Sequence, residues 1–139
     1  MIENKLDITS LKNAIEALRK SIDVYKKNCT EDIDLSESLR SGVIQNFEVA
    51  YELSWKFMKR WLEINISPDI ILGVTRKEFY RIAAENSLIT DVEKWWDFHK
   101  VRNRTSHTYD GIVAEDILKT AFEFLPHAKD FVSRMERPV

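Results

Sequence analysis

The chain has 139 residues, of which 44% are apolar and 32% charged, with a formal net charge of −2. That is enough chain for one domain (1–139) with its own core, it is not the composition of a disordered protein, and a charge so near zero leaves any nucleic-acid reading to a local patch. Three glycines and three prolines are too few for the turns of an all-β fold, a lone cysteine, Cys29, has no partner for a disulfide or metal site, and the lack of a signal or spanning segment reads as a cytoplasmic protein.

The first periodic segment is SLKNAIEALRKSIDVYKKN, where Leu11, Ala14, Ile15, Leu18, Ile22 and Tyr25 recur at helical spacing. Residues 28–34, NCTEDID, are polar and acidic and predict a loop. A long helix follows from about Ser36 to about Ile64. Leu39, Val43, Phe47, Ala50, Phe57, Trp61 and Ile64 give it a nearly heptad stripe in which Ser54 is the one small polar member. Tyr51, Trp55, Met58 and Leu62 form a neighbouring stripe, so this helix should touch more than one partner. Gly42 is a weak point in it.

Pro68 and Gly73 break the pattern in NISPDIILGV, which predicts a connector. Thr75 with Glu78, and Thr90 with Glu93, are spaced as capping boxes. They predict a short helix from after Thr75 to about Asn86–Ser87, and another from after Thr90 that carries DVEKWWDFHKVRNRTSH. The last helix runs from Ile112 to Met135 with Val113, Ile117, Ala121, Phe122, Leu125, Phe131, Val132 and Met135 largely on one side. Pro126 within it should kink or divide it. The expected fold is all-α, an antiparallel bundle of about five helices.

The chemistry concentrates in residues 102–110, RNRTSHTYD. Arg102 and His107 lie about 140° apart on an ideal helix, so they converge on one phosphate only if the helix kinks, tightens or ends between them, or if a dimer brings two copies together. A histidine exchanges protons near neutral pH, and a guanidinium holds two phosphate oxygens and stabilises charge on phosphorus. With Asn103 orienting either group, the set suits metal-independent RNA cleavage. The simpler readings are a surface arginine and histidine, a half-buried Tyr109, Trp95 and Trp96 as core and interface, and an exposed His127. Lys100, Arg102 and Arg104, with Lys56, Lys59 and Arg60, make either a basic patch or an ordinary solvated face. Three histidines without supporting ligands do not make a metal site, and no glycine-rich phosphate loop or other cofactor signature is present.

RNRTSHTY resembles the R-x4-H-x-Y pattern of HEPN-type proteins, falling on Arg102, Asn103, His107 and Tyr109. QNFEVAYELSWKFMKRWL resembles the long second helix of that family's nucleotidyltransferase substrate-binding, HepT-like toxin branch, and TRKEFYRIAAENSLITDVEKWW its third helix and the approach to the motif. The resemblance spans roughly residues 8–135. It implies a helical homodimer whose paired motifs line a cleft, and a cognate minimal nucleotidyltransferase as partner. It further implies an endoribonuclease toxin with Arg102 and His107 catalytic and Asn103 supporting. His99, Lys100, Arg104 and Ser106 would be candidate RNA contacts. Tyr109 would be the residue that the antitoxin AMPylates, adding bulk and negative charge beside the basic site. The other expectation for the same branch is a non-catalytic substrate-binding subunit of a two-component nucleotidyltransferase.

Overall fold

The computed structural model describes residues 6–28 and 30–137; Cys29 and residues 1–5, on which two of the sequence expectations rest, lie outside them. Among the described residues the chain forms five α-helices: α1 (Thr9–Lys27), α2 (Ile33–Asn65), α3 (Arg76–Glu85), α4 (Val92–Arg102) and α5 (Gly111–Met135), with a single 3-10 turn at Thr105–His107. No strand occurs among them. The long α2 is the spine: α1, α5 and α4 all pack against it, and α3 packs on α4.

Each helix starts where a side chain takes up a free backbone N–H. Asp7 accepts from the amide of Thr9 at 3.0 Å at the start of α1. Asp32 accepts from Leu35 at 3.2 Å, so α2 begins three residues before the predicted Ser36 and the acidic loop is correspondingly shorter. Thr75 accepts from Glu78 at 3.2 Å, as its capping box predicts. The second box is displaced: Asp91, not Thr90, caps α4, accepting from Lys94 at 3.0 Å. A carboxylate one position on offers a stronger acceptor, and it adds negative charge at the positive end of the helix. Gly73, at φ +73, turns the connector into α3 in a conformation that only glycine adopts without strain.

Along α2 the buried row changes over. Val43, Phe47, Ala50 and Ser54 are buried, but beyond Ser54 burial passes to Met58 and Leu62, while Ile64 is 37% exposed. A straight helix drifts about 20° per heptad, so a seven-residue stripe cannot stay on one side for 33 residues. Buried Ser54 is satisfied by donating to the carbonyl of Ala50 at 2.7 Å. Pro126 does not divide α5, which runs unbroken from Gly111 to Met135. Only one donor is lost there, and Phe124, Ala128 and Phe131 on either side are fully buried, holding both halves on the core. Phe124 sits at the centre of an aromatic cluster, in edge contact with Phe47, Tyr51, Trp95 and Phe98. Trp95 is core, as expected, whereas His127 is half-buried against Phe98 rather than exposed.

One polar chain crosses this interior. The hydroxyls of Tyr80 (α3) and Tyr51 (α2) share a hydrogen bond, and Tyr51 Oη lies 3.1 Å from Nδ1 of His99 on α4. Arg76 donates to Tyr51 Oη at 3.1 Å and lies 3.2 Å from His99 Nδ1. A guanidinium only donates, so Nδ1 is an acceptor and the ring proton sits on Nε2. Burial, then the charge of Arg76, holds His99 below the ordinary histidine range, while burial raises both phenols.

Two outcomes are expected. A Cβ added at Gly42 meets nothing within 4 Å, so Gly42→Ala should raise unfolding free energy by about 0.5–1 kcal/mol in chemical denaturation. His99 binds a proton more readily unfolded than folded. Its contribution to stability is therefore complete above 6.5, its ordinary value, and is lost as pH falls through the lowered folded value. The difference in Tm between the parent and His99→Gln should shrink on acidification from pH 7.5 to 5.5, measured by circular dichroism; a pH-independent difference contradicts the assignment.

Candidate functional site

The motif sits at a helix end. The sequence predicted α4 to continue to His107, but α4 stops at Arg102. The backbone tightens there: the amide of Arg104 donates to Val101 at 2.9 Å and that of His107 to Arg104 at 3.0 Å. Thr105, buried at the centre of the turn, donates its hydroxyl to the Arg102 carbonyl at 2.8 Å and accepts from the Arg102 guanidinium at 3.1 Å. Asp110 closes the segment by capping α5, accepting from Ile112 at 2.9 Å. The end of the helix between Arg102 and His107 is the departure from straight geometry that convergence on one phosphate requires.

Arg102 is half-buried against α2, with Glu52 at 3.4 Å and Glu48 at 3.8 Å. Its Nε is buried and, although in ion-pair range of Glu52, makes no aligned hydrogen bond. His107 and Tyr109 face outward, their rings 6.1 Å apart edge to face, and Tyr109 is 86% exposed. Asn103 caps α4, with its side-chain amide 3.3 Å from Nε2 of His99. With the ring proton on Nε2, the amide oxygen faces it after a half-turn of the group, the two ends being interchangeable in assignment. His99 also stacks on Trp96, so both ring nitrogens and one face have protein partners.

The remaining candidates lie around this turn with their charges partnered. Lys100 pairs with Asp97 at 3.2 Å and Arg104 with Asp116 at 2.9 Å, while Ser106 is exposed. Exposed pairs of this kind are worth about 0–1 kcal/mol and exchange readily for another anion. Glu48, Glu52, Tyr51, Arg76 and Thr105 were not singled out as site residues by the sequence. Thr105 lies within the motif itself. The other four lie on elements whose facing the spacing could not fix, although Glu48 and Glu52, four apart, do mark one face of α2. Among the described residues no group of three or more His, Cys, Asp or Glu is arranged to hold a metal, and no helix is long and apolar enough to cross a membrane.

Comparisons with known proteins bear on the fold and the family. The nucleotidyltransferase substrate binding protein like family matches residues 6–137. A Haemophilus influenzae protein described as a probable ribonuclease HepT is 35% identical over 129 residues, covering 90% of this chain and 88% of its own. A solved Haemophilus influenzae structure, described as the fold of a substrate binding domain of a nucleotidyltransferase, has a TM-score of 0.84 at 29% identity, over 94% of this chain and all of its own. A Thermus thermophilus structure shares the fold, with a TM-score of 0.73 at 23% identity over 91% of this chain and 99% of its own. With nearly its whole length matched, the chain belongs to the nucleotidyltransferase substrate-binding family of HEPN-type helical proteins.

Proposed function

We propose that the chain is a metal-independent endoribonuclease toxin, active as a homodimer and silenced by a minimal nucleotidyltransferase that AMPylates Tyr109. The observation that carries this reading is the turn itself: α4 ends between Arg102 and His107, so an anchored guanidinium and an outward imidazole share one short segment. His107 takes the proton of the RNA 2′-OH as its oxygen attacks the adjacent phosphorus. Arg102 holds the non-bridging oxygens as charge grows on them; the bond from phosphorus to the 5′-oxygen breaks, that oxygen takes a proton from water, and a 2′,3′-cyclic phosphate remains. Asn103, held by His99, follows Arg102 directly in the chain and is the supporting residue. A second copy of the motif opposite the first completes a groove for the strand. The 35% identity to a probable ribonuclease supports the same chemistry.

Tyr109 suits the modification. Its hydroxyl has no partner among the described residues, and its ring touches His107. A phosphate attached there competes with RNA for the site and repels it. A second reading is favoured by one observation: Glu48 and Glu52 partly neutralise Arg102 in the single chain, as suits a non-catalytic substrate-binding subunit of a nucleotidyltransferase.

Chelator-treated protein should cleave RNA, and Arg102→Ala or His107→Ala should each lower the rate by about 10² or more while helicity stays unchanged. Equal cleavage by both variants and the parent rules out the catalytic assignment, and no cleavage by a parent that still binds the nucleotidyltransferase establishes the subunit reading. Incubation with that enzyme and ATP should raise the intact mass by one or more AMP units, and Tyr109→Phe should gain none. An unchanged parent mass in the presence of an active transferase removes the modification.

A further inference from the structure

Most of the charged side chains near the motif are paired, but one cluster of cations is not. Lys56, Lys59 and Arg60 on α2 and Arg76 at the start of α3 form no ion pair with any carboxylate among the described residues. Arg76 is the most telling of them. Its guanidinium is half-buried, stacked 3.8 Å over the Trp55 ring, and held by Tyr51 and His99 through a single nitrogen. Beyond these, the buried Tyr80 phenol also interacts with it, and all of these partners are neutral. A partly desolvated cation without a counter-ion is costly unless an anion visits it.

Arg76 and Lys59 border a cavity of about 220 Å³ whose remaining walls are Trp55, Ile71, Val74, Thr75 and Phe79. No carboxylate lines it. A second cavity of similar volume, lined by Thr90, Pro126, His127, Asp130 and Arg134, differs on this point: its arginine is already paired with Asp130 at 2.8 Å. Two series of side chains join the first cavity to the motif. Trp55 donates to Glu52 at 3.2 Å, and Glu52 faces Arg102. Arg76 reaches His99, which meets Asn103. From Glu52 to Lys59 along α2 the rise is about 10 Å at 1.5 Å per residue, a span that a nucleic-acid strand easily covers.

We propose that the cavity framed by Trp55, Lys59 and Arg76 is a phosphate-binding subsite, separate from Arg102 and His107, that takes a backbone phosphate of the RNA strand engaged by the motif. The inference rests on the ribonuclease reading for the identity of the strand. The rigid fork of Arg76, pre-set by its stacking on Trp55, matches two phosphate oxygens. Lys59 adds a mobile charge at the rim, and Lys56 and Arg60 extend the positive surface along α2. In a chain of net charge −2, this gives one face a local attraction for a polyanion.

The test measures binding without turnover, in a His107→Ala background, by fluorescence anisotropy of a labelled single-stranded RNA at several salt concentrations. Lys59→Glu, a surface change, should weaken binding about tenfold and reduce the slope of log K against log salt by about 0.7 for each phosphate that is no longer neutralised. Arg76→Lys, which keeps the charge but loses the fork, should weaken it less. Unchanged affinity and slope in both variants overturn the subsite. Inorganic phosphate, AMP and ATP form the second arm: sensitivity to Lys59→Glu seen with these and not with RNA overturns the assignment to a strand in favour of a free nucleotide. Poly-glutamate competing as well as unlabelled RNA overturns the preference for phosphate. If the parent binds RNA through Lys59 but does not cleave it, the subsite stands and the ribonuclease reading falls.

Discussion

The arrangement depends on where one guanidinium is anchored. Arg102 is tied to Thr105 within its own turn and set against Glu48 and Glu52 on the facing helix. A long flexible side chain loses roughly 2 kcal/mol of rotamer freedom when fixed; here that cost is met in the fold, before any ligand arrives. The two carboxylates also set a threshold. Under the proposed function, a phosphodiester must interact with Arg102 more favourably than they do, or share it with them, through its two free oxygens.

Around this anchor the protein is rigid for identifiable reasons. Phe124 and its ring neighbours fill the interior behind α4, and truncating such a side chain typically costs ~3–5 kcal/mol. The Tyr80–Tyr51–His99 chain then fixes the rotation of α4 about its axis, because each hydroxyl and ring nitrogen needs its partner once removed from water. Packing places the helix, and hydrogen bonding selects which of its faces is presented. The same residue, His99, therefore belongs both to the interior and to the support of Asn103.

Much of this could be read from the sequence. The helices and the broad apolar arc that lets residues 36–64 touch several neighbours follow from periodicity and caps, and the segment Arg102–Tyr109 from its crowding of polar groups and its resemblance to a known pattern. Other features could not be read, each for a physical reason. Thr90 and Asp91 are both competent caps; the capping-box spacing marks Thr90, while the stronger carboxylate acceptor one residue on takes the role. The end of α4 at Arg102 depends on Thr105 turning back onto a carbonyl, a local competition that apolar periodicity does not register. The partners of Arg102 and the guanidinium–indole stack of Arg76 on Trp55 join elements far apart in the chain. Spacing specifies a face of each helix but not which other face it will meet.

The 3-10 turn has a further consequence. Between the last residue of α4 and the aspartate that opens α5 the backbone is tied at intervals: the amide of Arg104 donates to Val101, that of His107 to Arg104, and that of Asp110 to His107. The interval from arginine to histidine thus behaves as a ruler with its divisions cut into the backbone. Sequences of this fold can vary widely in surface composition, but lengthening or shortening this interval by a single residue would change the direction in which the His107 side chain leaves the turn relative to Arg102.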